Sequence, residues 1–254
     1  MKTRALWIVL AAGSSVHGQN SIVTDRPGFL FSPTVVPRGR LQFETGLPTL
    51  NYLHLSGDEV RSWSTPITMR YGLTEQFELR ASLPTWTSVR AESGSATETD
   101  AGFADSEIGA KGALDRDPAS PFAIQCGLRL PTGEDGFSTD DWGASAYLLK
   151  GNDLGSSYFL QTMLGVTHAP ISGADDPTAG ALAALVSHPI AEGWSAYVEA
   201  TALPGIRHVP GQSYLGTAVI FSPQRNLQFD LSADFGLDDD SADVIAAFGV
   251  SWHL

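Results

Sequence analysis

The chain is predicted to fold as an all-β protein, an antiparallel up-and-down transmembrane barrel of about twelve strands, and three observations predict it. From Arg40 to Leu254 the sequence breaks into about twelve segments in which apolar and polar residues alternate, the period-two pattern of a strand with two unlike faces. The connections between the segments alternate too, short then long, as they do in a barrel with short periplasmic turns and longer external loops. The chain also opens on a segment built for export. Met1 to Arg4 is basic, Ala5 to Gly13 is a short apolar run, and Val16-His17-Gly18 places small residues at the positions before a cut. That apolar run is too short to span a bilayer as a helix, which takes about 20 residues.

The expected organisation is a signal peptide over residues 1–18, an irregular periplasmic segment over 19–38, and a barrel domain over 39–254. Cutting after Gly18 removes Lys2 and Arg4 and no acid, taking the formal charge from −13 to −15. Such an acidic chain excludes nucleic acid as a partner. Hydrophobic residues make up only 43% of it, and mean hydropathy is −0.02. A helical membrane protein is far more apolar; a barrel is not, because only alternate residues meet lipid. Cys126 is the only cysteine, so no internal disulfide and no cysteine-based zinc cluster can form. Stability is expected from closure, which pairs every strand edge.

In chain order, residues 19–38 carry Thr24-Asp25-Arg26-Pro27-Gly28-Phe29 and three prolines within eleven residues, Pro27, Pro33 and Pro37, and so read as irregular. Asp25, Arg26, Pro27 and Gly28 are candidates for a small plug in the periplasmic mouth, with Asp25 and Arg26 meeting charges inside and Pro27-Gly28 turning the chain. The alternative is a tether lying in the periplasm. The clearest strands are Arg40 to Leu47, Trp63 to Tyr71, Phe77 to Leu83, Phe122 to Leu130, Leu227 to Phe235 and Val244 to Leu254. In the third, Phe77, Leu79 and Ala81 oppose Glu78, Arg80 and Ser82. In Phe122 to Leu130, Ile124, Cys126 and Leu128 oppose Gln125 and Arg129, which sends Cys126 to the lipid side. Six further segments, Phe103 to Leu114, Trp142 to Leu149, Tyr158 to Thr167, Ala179 to His188, Trp194 to Leu203 and Ser213 to Ser222, are rich in Ala and Gly, and their facing stays open. Long loops are expected at Ser56 to Arg61, Val89 to Ala101, Pro131 to Asp141, Ala169 to Thr178, Pro204 to Gln212 and Gly236 to Asp243. Trp63, Trp86, Trp142, Trp194, Trp252, Tyr71, Tyr158 and Tyr214 mark strand ends, where interfacial girdles lie.

Stretches of the mature chain resemble a known family. They are "TDRPGF" and "VVPRGRLQFETG" within Ile22 to Gly46, "RYGLTEQFELR" at Arg70 to Arg80, "ADSEIGAKGAL" at Ala104 to Leu114, "LRLPTGED" at Leu128 to Asp135, and the closing "FGVSWHL". Together they resemble the meta-pathway phenol-degradation family of outer-membrane proteins. That resemblance implies a β-barrel in the bacterial outer membrane and the passage of aromatic or other small hydrophobic compounds. It brings no catalytic residues with it.

The candidates for the inner surface carry both signs: Glu44, Arg70, Glu78, Arg80, Glu107, Lys111, Arg129, Glu199, Asp230 and Asp234, with Asp105 beside them. Such charges either pair and fill a narrow interior or line a wet path. No catalytic residue, cofactor or metal site is expected. The acidic loops, such as Asp238-Asp239-Asp240, match no calcium loop, and neither H-E-x-x-H nor G-x-S-x-G occurs. Expected partners are outer-membrane lipid, a small-molecule solute and the barrel-insertion machinery. Function stays open among a passive channel or transporter, a structural or surface-interaction barrel with a charge-filled closed lumen, and an outer-membrane hydrolase.

Overall fold

The computed structural model describes residues 22–55, 58–168, 170 and 177–254. The expected signal peptide, and most of the loop expected at Ala169 to Thr178, lie outside the described residues. Sixteen strand segments follow one another: β1 (Leu41–Leu55), β2 (Asp58–Thr65), β3 (Ile67–Gly72), β4 (Phe77–Ser82), β5 (Trp86–Ser93), β6 (Ala96–Phe103), β7 (Ser106–Asp115), β8 (Phe122–Leu130), β9 (Gly143–Gly155), β10 (Tyr158–His168), β11 (Thr178–Ala191), β12 (Trp194–Leu203), β13 (Gly205–Arg207), β14 (Gln212–Gln224), β15 (Leu227–Gly236) and β16 (Val244–His253). The consecutive pairs β2/β3, β4/β5 and β6/β7 each form one interrupted stave, and β13 is a spur on β11. The result is a closed antiparallel barrel of twelve staves. Closure is made by β1 on β16, from Gln42↔His253 to Tyr52↔Val244, which leaves neither terminal stave with an open edge.

Facing follows the pleat. On β15 Leu231 is 62% exposed, whereas its neighbours Asp230 and Ser232 are 2% and 5% exposed. Apolar residues therefore look outward and polar ones inward, the reverse of a soluble core. Ile108, Leu128, Leu164, Leu182, Val198, Leu215 and Phe248 continue the outer apolar band. Cys126 is exposed on that side, as its neighbours Ile124 and Leu128 predict. Trp63, Trp86, Trp142, Trp194, Tyr71 and Tyr158 are exposed as a girdle requires, and Trp252 stacks on Phe43 at 5.1 Å. Tyr214 departs from that expectation. It is 3% exposed and turns inward to stack on Phe29.

Two of the expected loops are strand instead. Asp58 to Arg61, within the loop expected at Ser56 to Arg61, belongs to β2 and pairs with β1 from Leu55↔Asp58 to Tyr52↔Arg61. Val89 to Ala101 is not irregular but paired, in the β5–β6 hairpin, from Trp86↔Phe103 to Ser93↔Ala96. Thr97 and Thr99 favour extended backbone, and Gly94, at φ 59°, supplies the left-handed turn position. The Ala- and Gly-rich segments resolve as well. On β11, Ala181, Ala183 and Leu185 are buried while Leu182 and Val186 are exposed, so this strand is apolar on both faces.

Candidate functional site in the barrel interior

Residues 22–38 do not lie beneath the barrel; they run inside it. Ile22 N donates to Arg225 O at 2.6 Å in the β14–β15 turn, and Gly39 N donates to Gly72 O at 2.7 Å at the β3–β4 turn. Both ends of the segment are thus held at the short-turn end. Between them the chain rises to Phe29, whose ring stacks on Tyr214 at 4.9 Å near the long-loop end of β14.

Asp25 is the segment's ionic foot. Lys111 Nζ donates to its two carboxylate oxygens at 2.8 and 3.1 Å, Arg80 Nη1 donates to Oδ2, and Ser32 N donates to Oδ1 at 2.8 Å. Arg70 lies 3.5 Å away. Arg70 itself is saturated. Nε and Nη2 grip both oxygens of Glu78 at 2.9 and 3.0 Å, Nη1 donates to Glu44 at 2.7 Å, and the remaining N–H groups donate to the carbonyls of Val23 and Thr34. The segment answers in kind, since Asp25 N donates to Glu44 and Val36 N to Glu78. Three cations, Arg70, Arg80 and Lys111, thus meet three anions, Asp25, Glu44 and Glu78, and the side chains of Arg70, Lys111 and Glu78 are inaccessible to solvent. Burial would raise the Asp25 carboxyl, but the neighbouring Arg70, then Arg80 and Lys111, hold it well below the usual carboxylate range.

A second contact lies across the interior. Arg26 pairs with Asp230 at 3.2 Å, Phe29 N donates to Glu199 at 3.0 Å, and Gln228 donates to the Thr24 hydroxyl at 2.8 Å. Gly28 has φ +94°, and a Cβ there would stand 2.5 Å from both Glu199 Oε2 and Tyr197 Oη. Only glycine fits this turn.

The third contact is apolar. Leu30 enters a buried cluster of Ala123, Leu149, Met163, Ala181, Ala183, Leu185, Tyr197 and Ala218, with Phe31 packed against it. The interior is therefore two-sided, charged along β1, β3, β4, β7 and β15 and mainly apolar from β8 through β14, where Gln125, Glu199 and Thr201 are the buried polar exceptions.

Of the ten inner-surface candidates, Glu44, Arg70, Glu78, Arg80 and Lys111 gather around Asp25, and Glu199 and Asp230 meet the segment elsewhere. Asp234 is 4% exposed, with its carboxylate over Gly216. Glu107 and Arg129 face each other in register on β7 and β8, away from this cluster and only partly buried. Sequence reasoning missed the apolar inner wall. The parity of Tyr197 with Glu199, and of Ala123 with Gln125, was the signal that could have found it.

Asp105, in the break between β6 and β7, holds the loop of residues 131–142. It accepts from Thr132 N, Gly133 N, Ser138 Oγ, Thr139 N and Thr139 Oγ1, all at 2.7–3.1 Å. Burial opposes ionisation here, but the Thr139 amide and hydroxyl, then Gly133 and Ser138, bring the carboxyl down to about 2. A depressed carboxyl stabilises above its unfolded value of about 3.9 and stops doing so as pH falls through the folded one. Hydrogen exchange in residues 131–142 is expected to stay slow at pH 5 and to quicken as pH approaches 2. Asp105→Asn is expected to speed it at pH 7, by the loss of about 2 kcal/mol of charge-assisted bonding.

A closed barrel with an apolar outside and a charged inside defines a transmembrane β-barrel of the bacterial outer-membrane class. The chain belongs to the family described as "Putative MetA-pathway of phenol degradation", which matches residues 24–254. Among solved structures it is similar to an outer membrane channel from Pseudomonas putida F1, at 12% identity over 90% of this chain and 99% of that one, with a TM-score of 0.68. It is also similar to the β domain of the Bordetella autotransporter BrkA, at 14% identity over 85% and 98% of the two chains, TM-score 0.55. The transport unit of the autotransporter AIDA-I from Escherichia coli aligns at 10% identity over 85% and 90%, TM-score 0.55. At these identities the likeness is one of fold. Comparison with curated proteins gives no match.

Proposed function

We propose that the protein is an outer-membrane channel for small, hydrophobic or aromatic molecules, with residues 22–38 as its resident plug. Export would use residues 1–18, insertion the barrel-assembly machinery, and no catalysis is involved. The observation that carries the reading is the two-sided interior. The charged wall holds the plug through Asp25. The apolar wall of Leu149, Met163, Leu185 and Tyr197 offers an uncharged solute a surface on which it need not remain hydrated. Above Phe29 and Tyr214, a cavity of about 350 Å³ with Leu53 and Ile245 among its lining opens toward the long loops, where a solute would first be met. The channel named in the Pseudomonas putida F1 structure supports the same direction.

The solvent-inaccessible Arg70, Glu78 and Lys111 favour a second reading, a permanently filled structural barrel. Planar-bilayer conductance separates the two. The intact protein is expected to be silent or to flicker, and deletion of residues 20–33 is expected to give a steady open level. Uptake of a neutral aromatic solute into proteoliposomes is expected to rise with it. Silence and no uptake in both proteins would establish the filled barrel instead.

A further inference from the structure

We propose that the periplasmic end of the barrel seam carries a binding pocket for a phosphate group, formed by Arg40, Arg225 and His253. A cavity of about 450 Å³ is lined by these three residues with Asn226 and Leu254. Its frame is stiff. His253 N donates to Asn226 O at 3.0 Å and Leu254 N to Leu41 O at 2.9 Å, so the β14–β15 turn, the end of β16 and the start of β1 are tied together. The closing ladder then pairs Gln42 with His253.

The donors are unspent. Arg40 and Arg225 form no ion pair among the described residues. Arg26, Arg61, Arg70, Arg80, Arg90 and Arg116 all form one; Arg38 and Arg129 share the unpaired state, but neither lines this cavity. His253 is 7% exposed, and its Nδ1 is buried with no hydrogen-bond partner. That nitrogen is closed to solvent, so His253 forms a wall of the pocket and the two arginines supply its donors. In a chain of net charge −13, two free guanidiniums around one cavity form a local exception. Guanidinium forks match the tetrahedral oxygens of phosphate.

Two sources offer that chemistry: free phosphate in the periplasm, and the headgroup of an inner-leaflet phospholipid. His253 pairs with the buried Gln42 on the inner face. The Phe43–Trp252 stack, rings at the depth where headgroups lie, is on the outer face of the same strands, so a lipid phosphate would reach the pocket round the short-turn rim. Titration of the full-length protein in detergent, by calorimetry, with inorganic phosphate and with dihexanoyl-phosphatidylglycerol tests the site and its source. Saturable binding of either is expected, weakened at least tenfold in Arg40→Gln/Arg225→Gln and unchanged in Arg116→Gln, whose guanidinium is already paired with Glu75. Binding of inorganic phosphate alone assigns a free solute; tighter binding of the lipid assigns a headgroup. No saturable binding of either by the intact protein, or equal binding by the double variant with an unchanged β-sheet circular dichroism spectrum, overturns the proposal.

Discussion

Asp25→Ala is expected to release residues 22–38 from the barrel while leaving the barrel folded. Asp25 is the one member of the six-charge cluster that residues 22–38 supply; Arg70, Arg80, Lys111, Glu44 and Glu78 belong to the wall. Without it three buried cations face two anions, and Lys111 loses both of its carboxylate hydrogen bonds and keeps only Glu78 at 3.9 Å. Removing one partner of a buried pair costs about 3–5 kcal/mol, because the other charge stays out of water unpaired. The strand ladders do not pass through Asp25, so the cost falls on seating of residues 22–38. The measurement is maleimide labelling of Ser32→Cys in a Cys126→Ser background; Ser32 is 5% exposed. Since about 1.4 kcal/mol is a factor of ten, labelling is expected to accelerate by at least a hundredfold. Adding Lys111→Met restores balance at two cations and two anions, and part of the protection is expected to return. Equal labelling in wild-type and Asp25→Ala proteins would show that the cluster does not hold the segment. Acid is not expected to imitate the substitution at pH 5. A carboxyl held well below its usual range keeps its stabilising charge until pH falls through that lowered value.

Gly28→Val is the second large effect, and it acts by shape. At φ +94° an L side chain is strained whatever surrounds it, at about 1–2 kcal/mol. The new Cβ would also overlap Glu199 Oε2 and Tyr197 Oη, and forcing atoms into a filled site adds about 1–3 kcal/mol. The limb carrying Phe29, Leu30 and Phe31 is expected to lift from the apolar wall, with labelling at position 32 faster by tenfold or more. Gly39→Ala separates the two causes. Gly39 has φ +76° but no neighbour within 4 Å of a Cβ, so it carries strain without collision. A response as large as that of Gly28→Val would assign the effect to backbone strain and remove the role given to Glu199 and Tyr197.

The barrel was legible where one face of a strand was polar. Phe77 to Leu83 could be read directly, because Glu78 and Arg80 leave no doubt about which side is inside. The same rule failed on β11, where Ala181, Ala183 and Leu185 are as apolar as the lipid-facing Leu182 and Val186. Alternation carries no signal when both faces are hydrophobic, so on β11 the apolar wall was invisible, and only the parity of Tyr197 with Glu199 and of Ala123 with Gln125 on the other strands pointed to it. Tyr214 misled for a related reason. A tyrosine near a strand end suits a membrane interface and equally suits a ring inside the barrel, and only the presence of Phe29 decides between them. The Thr24 to Phe31 motif stood out because it breaks strand patterning, and its charges suggested a site inside the periplasmic mouth.

The sequence by itself determined the all-β class, the strand parity of the polar staves and the charged character of the interior. Those properties are written in a local period of two residues. What only the tertiary structure decided is which charges meet. Asp25 reaches Arg80 and Lys111 across 55 and 86 residues of chain, and Arg26 reaches Asp230 across 204. Such pairings depend on closure of β1 on β16 and on the path of residues 22–38 through the enclosed space. Closure is a property of all twelve staves at once, and no local pattern encodes it.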